Sequence, residues 1–252
     1  MRKSISMLLS CLLGAAALTV ASASFAAGGE FGGDADGVGN AANGKKIFTQ
    51  GKGAAAPCMS CHGDHGQGND SMGAPRLANQ GEAYIVKQLT DFSMDKRVPT
   101  GLGAVMPGFA KALSPQDRRD VATYLSSIQA KPELSDFKAL KDMGQQIGDA
   151  DLGMVLVTYG RSGDRPVPAC QSCHQFNGRG AFPIFPMIGQ QKFVYLVNQL
   201  NNWRDGSRAN DEGGMMRAVA KDLTDADIRN LATFLATAPK TTQGNAMLPE
   251  QK

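Results

Sequence analysis

This chain of 252 residues contains few of the side chains that many functional sites require. It has three histidines, five cysteines and one tryptophan, and aromatic residues make up only 6% of it. Its charges nearly balance, with 26 Lys and Arg against 23 Asp and Glu, so neither nucleic acid nor an anionic membrane surface is implied as a partner. With so few large aromatic residues, the chain also lacks much of the bulk that usually fills a hydrophobic core.

The N-terminus has the pattern of a secretory signal peptide. A short basic region, MRK, precedes an apolar run, which is followed by a stretch rich in small residues, ASASFAAG. The run is short for a membrane span and no charged residue directly follows it, so a retained anchor is the less favoured interpretation. We expect cleavage between Ala23 and Ala27, with residues 1–26 removed and the mature chain exported to the periplasm.

Export would leave four cysteines, because Cys11 lies within the removed segment. The four form two C-x-x-C pairs that are far apart in sequence: Cys58 with Cys61, and Cys170 with Cys173. Disulfides are common in exported proteins, but a disulfide scaffold normally spreads its cysteines through a much shorter chain. Two such local pairs would stabilise little as disulfides, so the pattern indicates another chemistry.

The two cysteine pairs lie in two copies of one repeat. CMSCHGDHGQG aligns with CQSCHQFNGRG, APRLANQGEAYIVKQLTDF with FPMIGQQKFVYLVNQLNNW, and VMPGFAKALSPQDRRDVATYL with MMRAVAKDLTDADIRNLATFL. Each copy predicts a domain of its own, at residues 41–130 and 149–240, with a linker at 131–148. We interpret residues 27–40 as a flexible Gly-rich segment and residues 241–252 as a C-terminal tail.

The elements that can be read from the repeat are helical, and no alternating strand pattern is evident. Ser114, followed by a proline and Asp117, predicts a helix start, and Thr224 is the cap in the second copy. Apolar residues then fall on one helix face: Val121, Tyr124, Leu125 and Ile128 in the first copy, and Ile228, Leu231, Phe234 and Leu235 in the second. The sequence therefore predicts an all-α fold, in which small units need an additional apolar group to fill the core.

A histidine follows each cysteine pair directly. Structural zinc needs four ligands, and although the first copy offers His65 as a fourth, its counterpart is Asn177. A thioredoxin-like dithiol belongs beside a strand in a βαβ unit and leaves the histidine unexplained. C-x-x-C-H is the motif of covalent haem attachment, in which both thiols form thioethers and the imidazole binds iron. We therefore predict two haem c groups, held by Cys58, Cys61 and His62, and by Cys170, Cys173 and His174.

The sixth iron ligand must come from elsewhere in each unit, and methionine recurs at an aligned position. Met106 lies seven residues before Leu113, and Met216 lies seven residues before Leu223. A thioether ligand favours reduced iron and raises the reduction potential. We predict Met106 and Met216 as the ligands and assign the methionines without an aligned partner to packing. Met215 stays as the alternative to Met216, because the alignment could slip by one residue.

Together these features resemble the dihaem cytochromes c of the cytochrome c4 family. C-x-x-C-H is common to all c-type cytochromes, whereas the paired Y-x-x-x-Q-L segments, AYIVKQL and VYLVNQL, are more specific. The resemblance covers nearly all of the mature chain. It implies two tandem class I cytochrome c domains, whose His/Met haems face each other across an interdomain contact. It also implies a periplasmic electron carrier, not an enzyme, whose partners are redox proteins such as a membrane quinol-oxidising complex and a terminal oxidase.

Two other functions stay open from the sequence. A catalytic dihaem enzyme, such as a peroxidase or a sulfur-compound oxidase, would keep one iron site open. A haem subunit of a larger complex would bind a partner such as a sulfide-oxidising flavoprotein, and would meet the membrane only through a protein. Several basic residues could steer acidic partners, although each alone is more typical of a solvated face: Lys45, Lys46, Lys52, Arg204 and Arg208.

Overall fold

The computed structural model describes residues 37–239, and within this range the chain is helical. Strand pairing among these residues is limited to isolated bridges, such as that between Lys52 and Ala55. None of the helices described here is long and apolar enough to cross a membrane. The predicted signal peptide and C-terminal tail, and most of the predicted Gly-rich segment, lie outside the described residues.

The first unit packs five helices around one apolar core. In chain order they are α1 (Ala41–Gln50), α2 (Met59–His62), α3 (Glu82–Ser93), α4 (Met106–Lys111) and α5 (Pro115–Ser127). Phe48 of α1 is fully buried and its ring lies 5.6 Å from that of Tyr124 on α5. Ile85, Val121 and Leu125 complete the contact among α1, α3 and α5.

The second unit repeats this arrangement and adds one helix ahead of it. In chain order the helices are α6 (Phe137–Asp142), α7 (Ala150–Tyr159), α8 (Gln171–His174), α9 (Phe193–Arg204), α10 (Met215–Ala220) and α11 (Asp225–Thr237). Helix α6 lies inside the predicted linker, where the sequence shows no strong apolar rhythm. Its Leu140 nevertheless packs into the core of the second unit, and the rings of Phe137 and Phe193 meet edge to face.

A glycine allows the same close helix crossing in both units. A Cβ on Gly44 of α1 would lie 1.9 Å from the carbonyl oxygen of Asp120 on α5. A Cβ on Gly153 of α7 would lie 2.1 Å from the carbonyl oxygen of Asn230 on α11. Any larger residue would force the helices apart, because backbone atoms cannot move aside as a flexible side chain can. The repeated crossing fixes the frame on which each site is built.

The last helix of each unit begins with a capping box, which confirms the two N-caps predicted from the sequence. Ser114 accepts a hydrogen bond from the amide of Asp117, whose carboxylate accepts one from the amide of Ser114. Thr224 and Asp227 exchange the same pair of bonds at the start of α11. Each box satisfies backbone donors that the first helical turn would otherwise leave without a partner.

Replacing Asp117 by asparagine should lower the unfolding free energy of the first unit by about 2 kcal/mol. Asp117 is 3% exposed, and its carboxylate accepts hydrogen bonds from Lys52 Nζ at 2.7 Å and from Ser114. Burial alone would raise the pKa of Asp117, but the bonds from Lys52 and Ser114 outweigh it and lower the pKa below 3.8. Because the folded state has the lower pKa, this stabilisation is present above the unfolded pKa and is lost as pH falls through the folded pKa.

Urea unfolding of the haem-loaded protein near neutral pH and in acid below the folded-state pKa of Asp117 tests both points. The Asp117→Asn variant should be destabilised near neutral pH and should approach the unmodified protein in acid. Lys52→Met separates the two contributions to the pKa of Asp117, because it removes the half-exposed ammonium group but keeps the capping box. A loss of equal size at both pH values would contradict the pKa argument.

Candidate haem sites

An apolar cavity of about 890 Å³ runs through both units and is lined by both C-x-x-C-H motifs. Apolar side chains from the cores of both units form much of its wall. The predicted ligand residues line it as well: Cys58, Cys61, His62 and Met106 from the first unit, and Cys170, Cys173, His174 and Met216 from the second. The structure therefore brings together residues that are more than 100 positions apart in sequence.

Helices α2 and α8 are single turns that set the spacing within each motif. The amide of His62 donates to the carbonyl of Cys58 at 3.0 Å, and that of His174 donates to the carbonyl of Cys170 at 2.9 Å. One helical turn brings residues i, i+3 and i+4 to the same side, so both thiols and the imidazole reach one region. Glycine follows the first motif at Gly63, whereas Gln175 follows the second. Gln175 adopts φ 64° and ψ 175°, a region that favours glycine.

Each motif histidine is oriented by a proline carbonyl. The Nδ1 atom of His62 lies 2.9 Å from the carbonyl oxygen of Pro75, and that of His174 lies 2.8 Å from the carbonyl oxygen of Pro186. A carbonyl only accepts, so Nδ1 carries the proton and Nε2 keeps its lone pair for a metal. Burial also lowers the pKa of both histidines, which keeps the imidazoles neutral. Neutral imidazole is the form that binds iron.

The thiols have the properties of attachment sites and not of a redox dithiol. Burial raises the pKa of Cys58 and of Cys170 to about 11, whereas a redox-active pair lowers the pKa of its attacking thiol. Among residues 37–239, no group of three or more His, Cys, Asp or Glu side chains is arranged to hold a metal ion. The donor set does not fit zinc, but it fits haem c, which needs two thiols, one imidazole and an apolar cavity.

The structure distinguishes the methionines by burial. Met106 and Met216 are partly buried, and Met216 packs against the core of the second unit, whereas Met215 is 45% exposed. All three line the cavity. Helix α4 begins at Met106 and α10 begins at Met215, so the helix starts would pair these two residues, but of the adjacent methionines only Met216 packs against the core. Burial therefore supports Met216, and the ligand assignment stays a prediction.

The third histidine lies apart from these sites. The side chain of His65 is 68% exposed and its Nε2 lies 3.7 Å from Asp64 at the protein surface. His65 does not line the cavity. His65 is therefore a solvated loop residue, which agrees with the asparagine, Asn177, at the aligned position of the second copy.

A buried polar cluster between the units went unrecognised in the sequence. Arg97 donates to Gln88 at 2.7 Å within its own unit, and to Gln199 at 2.8 Å and Tyr195 at 3.1 Å in the other unit. Arg208 mirrors this, donating to Gln199 at 2.7 Å and to Gln88 at 3.0 Å. Burial alone would raise the pKa of Tyr195, but the two guanidinium groups outweigh it and lower the pKa. The repeated Y-x-x-x-Q-L segments supply the tyrosines and glutamines, so the motif was the available signal.

A second set of reciprocal bonds joins the loops that carry the orienting prolines. The side chain of Gln80 donates to the carbonyl of Met187 at 2.9 Å and accepts from its amide at 2.8 Å. The side chain of Gln191 does the same for Arg76, at 3.0 Å and 2.6 Å. Each glutamine therefore holds the residue that follows the orienting proline of the opposite unit.

Three of the five basic residues that were considered for steering partners, and interpreted singly as parts of a solvated face, make contacts within the protein. Arg208 is only 7% exposed, because it lies in the interface and its guanidinium covers the ring of Trp203 at 4.1 Å. Lys52 binds Asp117, and Arg204 pairs with Asp225. The remaining two, Lys45 and Lys46, are exposed on α1. Periodicity and charge could not reveal the burial of Arg208, since its partners in the other unit, Tyr84 and Gln88, are more than 100 residues away.

These features define the class of the protein. Two helical units that each present C-x-x-C-H and a methionine to an apolar cavity make a cytochrome c of two tandem domains. The sequence profile of the family described as Cytochrome c matches residues 41–129, which is the first of the two units.

Comparisons with known proteins narrow the class. Cytochrome c4 of Stutzerimonas stutzeri is 36% identical over 195 residues, which are 73% of this chain and 86% of the relative. A thiosulfate dehydrogenase electron acceptor from Stutzerimonas stutzeri strain A1501 is 35% identical over 78% of this chain and 86% of its own length. The crystal structure of reduced cytochrome c4 from Pseudomonas stutzeri superposes with a TM-score of 0.64 at 34% identity, covering 79% of this chain and 98% of that one.

The chain belongs to the cytochrome c4 family, as its motifs predicted, and the all-α fold of two cytochrome c domains is confirmed. It is therefore an electron carrier and not an enzyme, it binds haem c covalently, and its partners are redox proteins.

A thiosulfate dehydrogenase from Marichromatium purpuratum also superposes, with a TM-score of 0.70 at 30% identity. The match covers 79% of this chain but only 40% of that longer one.

Proposed function

We propose that this protein carries electrons in the periplasm from a dehydrogenase or a quinol-oxidising complex to a terminal oxidase, through two His/Met-ligated haem c groups. The observation that carries the proposal is the duplicated C-x-x-C-H motif on one continuous apolar cavity. Haem c, when bound, supplies iron that accepts and returns one electron at a time. The residues that would hold it are Cys58, Cys61, His62 and Met106, and Cys170, Cys173, His174 and Met216.

The chain's own residues suit a carrier. The carbonyls of Pro75 and Pro186 hold each imidazole in one orientation, so the proximal ligand does not turn between oxidation states. The cavity wall beside each histidine is largely apolar, which would suit a neutral thioether as the sixth ligand of a bound haem iron. The reciprocal glutamine bonds keep the two units in one arrangement, so little movement has to accompany electron transfer.

Relatives favour a sulfur-compound dehydrogenase as the donor. Two of them, from Stutzerimonas stutzeri and Thiomonas intermedia, are named thiosulfate dehydrogenase electron acceptors and are each 35% identical to this chain. The likeness to part of a longer thiosulfate dehydrogenase chain supports the same donor class. Because the match covers only 40% of that longer chain, it also favours a second candidate function, in which this protein is a haem subunit of a larger complex.

A reduction assay tests the donor assignment. Oxidised, haem-loaded protein is mixed with thiosulfate and a catalytic amount of thiosulfate dehydrogenase, and the haem absorption bands are followed by stopped-flow spectroscopy. We expect complete reduction of both haems, which requires the dehydrogenase. If reduction does not exceed that of the enzyme-free control, thiosulfate dehydrogenase is not the donor. Ready binding of carbon monoxide to either ferrous haem would argue against a carrier with six fixed iron ligands. Co-purification as a stable complex from the native cells would favour the subunit function.

Localisation needs its own experiment. Cell fractionation should recover the haem-loaded protein in the periplasm, with an N-terminus between Ala23 and Ala27. Deleting residues 1–26 should leave the chain in the cytoplasm. Recovery of the full-length chain in the membrane fraction would show instead that the N-terminal segment is a retained anchor.

A further inference from the structure

The interface between the two units is symmetric only in part, and the buried positions that differ include Asp91, which aligns with Asn202, and the residue after each orienting proline. Tyr84, Gln88 and Arg97 correspond to Tyr195, Gln199 and Arg208, and each member of the first set has a chemically identical counterpart in the second. The residue after the orienting proline breaks this symmetry, because it is Arg76 in the first unit and Met187 in the second. Its backbone is held in the same way in both units, by the glutamine of the opposite unit. Only the side chain differs.

Arg76 is buried and has no anionic partner. It is 4% exposed, it lines the cavity, and its Nη2 atom lies 2.9 Å from the sulfur of Met187. Within residues 37–239 it forms no ion pair. Burial lowers the pKa of Arg76 to about 10, so the guanidinium is still charged at neutral pH. A thioether sulfur is a weak acceptor and does not neutralise this charge.

An isolated buried charge is costly, and such a group normally pairs with an anion. The described part of the chain supplies no carboxylate to Arg76, so the anion has to come from what occupies the cavity. Haem carries two propionate side chains, and these are carboxylates. A guanidinium matches a carboxylate with two parallel hydrogen bonds, which makes this pairing chemically favourable.

We propose that Arg76 binds a propionate of the haem in the first unit, and that its replacement by Met187 in the second unit makes the two reduction potentials unequal. The inference rests on the haem-binding function proposed above. Reduction adds one negative charge to the haem, so a buried positive charge nearby stabilises the reduced state. Arg76 therefore raises the potential of the first haem, whereas Met187 gives the second haem no such contribution. The two haems of one chain thereby have different reduction potentials, although the two units share one fold.

Arg76→Met tests the proposal, because it places in the first unit the residue that the second unit already has. The equilibrium constant for reducing the first haem should fall at least tenfold, which is about 59 mV for a one-electron couple, and the second haem should change less. Potentials are measured by redox titration followed through the haem methyl resonances in NMR. Each set of methyl resonances is assigned to a haem through nuclear Overhauser contacts with side chains of its own unit, such as Phe92 in the first and Trp203 in the second.

Three further variants keep the result interpretable. Arg76→Gln removes the charge but keeps a polar side chain, and it serves if the methionine variant does not fold. Arg76→Lys keeps the charge and should shift the first potential by less than half as much. Arg165→Met removes an exposed arginine with the same change in net charge, and should leave both potentials unchanged because solvent screens that position.

The proposal is overturned if neutral variants at Arg76 leave the first potential unchanged, or if Arg76→Lys lowers it as much as Arg76→Met does. A similar shift in Arg165→Met would attribute the effect to overall charge. The haem content of every variant is measured in parallel. An unmodified protein without covalent haem would contradict the haem-binding function itself. Arg76 variants that retain both haems and have unchanged potentials would contradict only the role of Arg76.

Discussion

Replacing both Cys58 and Cys61 by serine should halve the covalently bound haem, from two groups per chain to one. The thioether bonds form only through these sulfurs, and a serine hydroxyl cannot take their place. The first unit should also unfold, because the cavity beside Phe92, Val121 and Leu125 would lose the group that fills it. Mass spectrometry under denaturing conditions, together with a haem stain, measures the number of attached groups.

Matched variants separate attachment from local damage. Ser60→Ala alters the exposed residue between the two cysteines and should leave two haems in place. Serine at Cys170 and Cys173 should remove the other haem and leave the first unit loaded. A chain that retains two covalent haems after the first double replacement would contradict the assignment, and so would an unmodified chain that carries only one.

Met216→Ala should remove half of the thioether-to-iron charge-transfer absorbance, lower the potential of one haem and let carbon monoxide bind its ferrous iron. Loss of the thioether leaves one coordination position open and removes the ligand that favours reduced iron. Met106→Ala should remove the other half, through the first haem. Absorption spectra, redox titration and carbon monoxide binding provide three readouts that a purely structural role would not change together.

Met215→Ala is the matched control, since the two methionines are adjacent. Met215 is exposed, whereas Met216 packs against the second core, so the Met215 variant should retain the full absorbance band. A band that survives in Met216→Ala and is halved in Met215→Ala would transfer the ligand role to Met215. That result would also agree with the start of α10 at Met215.

Patterns that act over a few residues were readable in the sequence. The capping boxes at Ser114 and Thr224 need only residues three apart, and both were predicted and confirmed. The apolar faces of α5 and α11 were also predicted, and Val121, Leu125 and Leu231 are buried as expected. C-x-x-C-H belongs to the same group, because its geometry lies within one helical turn.

Contacts that join the two units could not be predicted in this way. Arg208 looked like a surface charge, yet Gln88, 120 residues earlier in the chain, accepts its hydrogen bond. Helix α6 has no clear period in the sequence, and it is recognisable only by the burial of Leu140 in the second core. A side chain's partners at such separations depend on how whole helices pack, which local periodicity does not report.

By itself, the sequence determined the duplication, the helical class, the haem attachment motifs and membership of the cytochrome c4 family, because each is a matter of residue type and short spacing. Only the tertiary structure decided which of two adjacent methionines is packed against the core, which arginines are buried, and that Arg76 faces Met187 without a counter-charge. These outcomes depend on exposure to water and on distance in space. Both are set by the packing of the two units against each other, which no local stretch of the chain encodes.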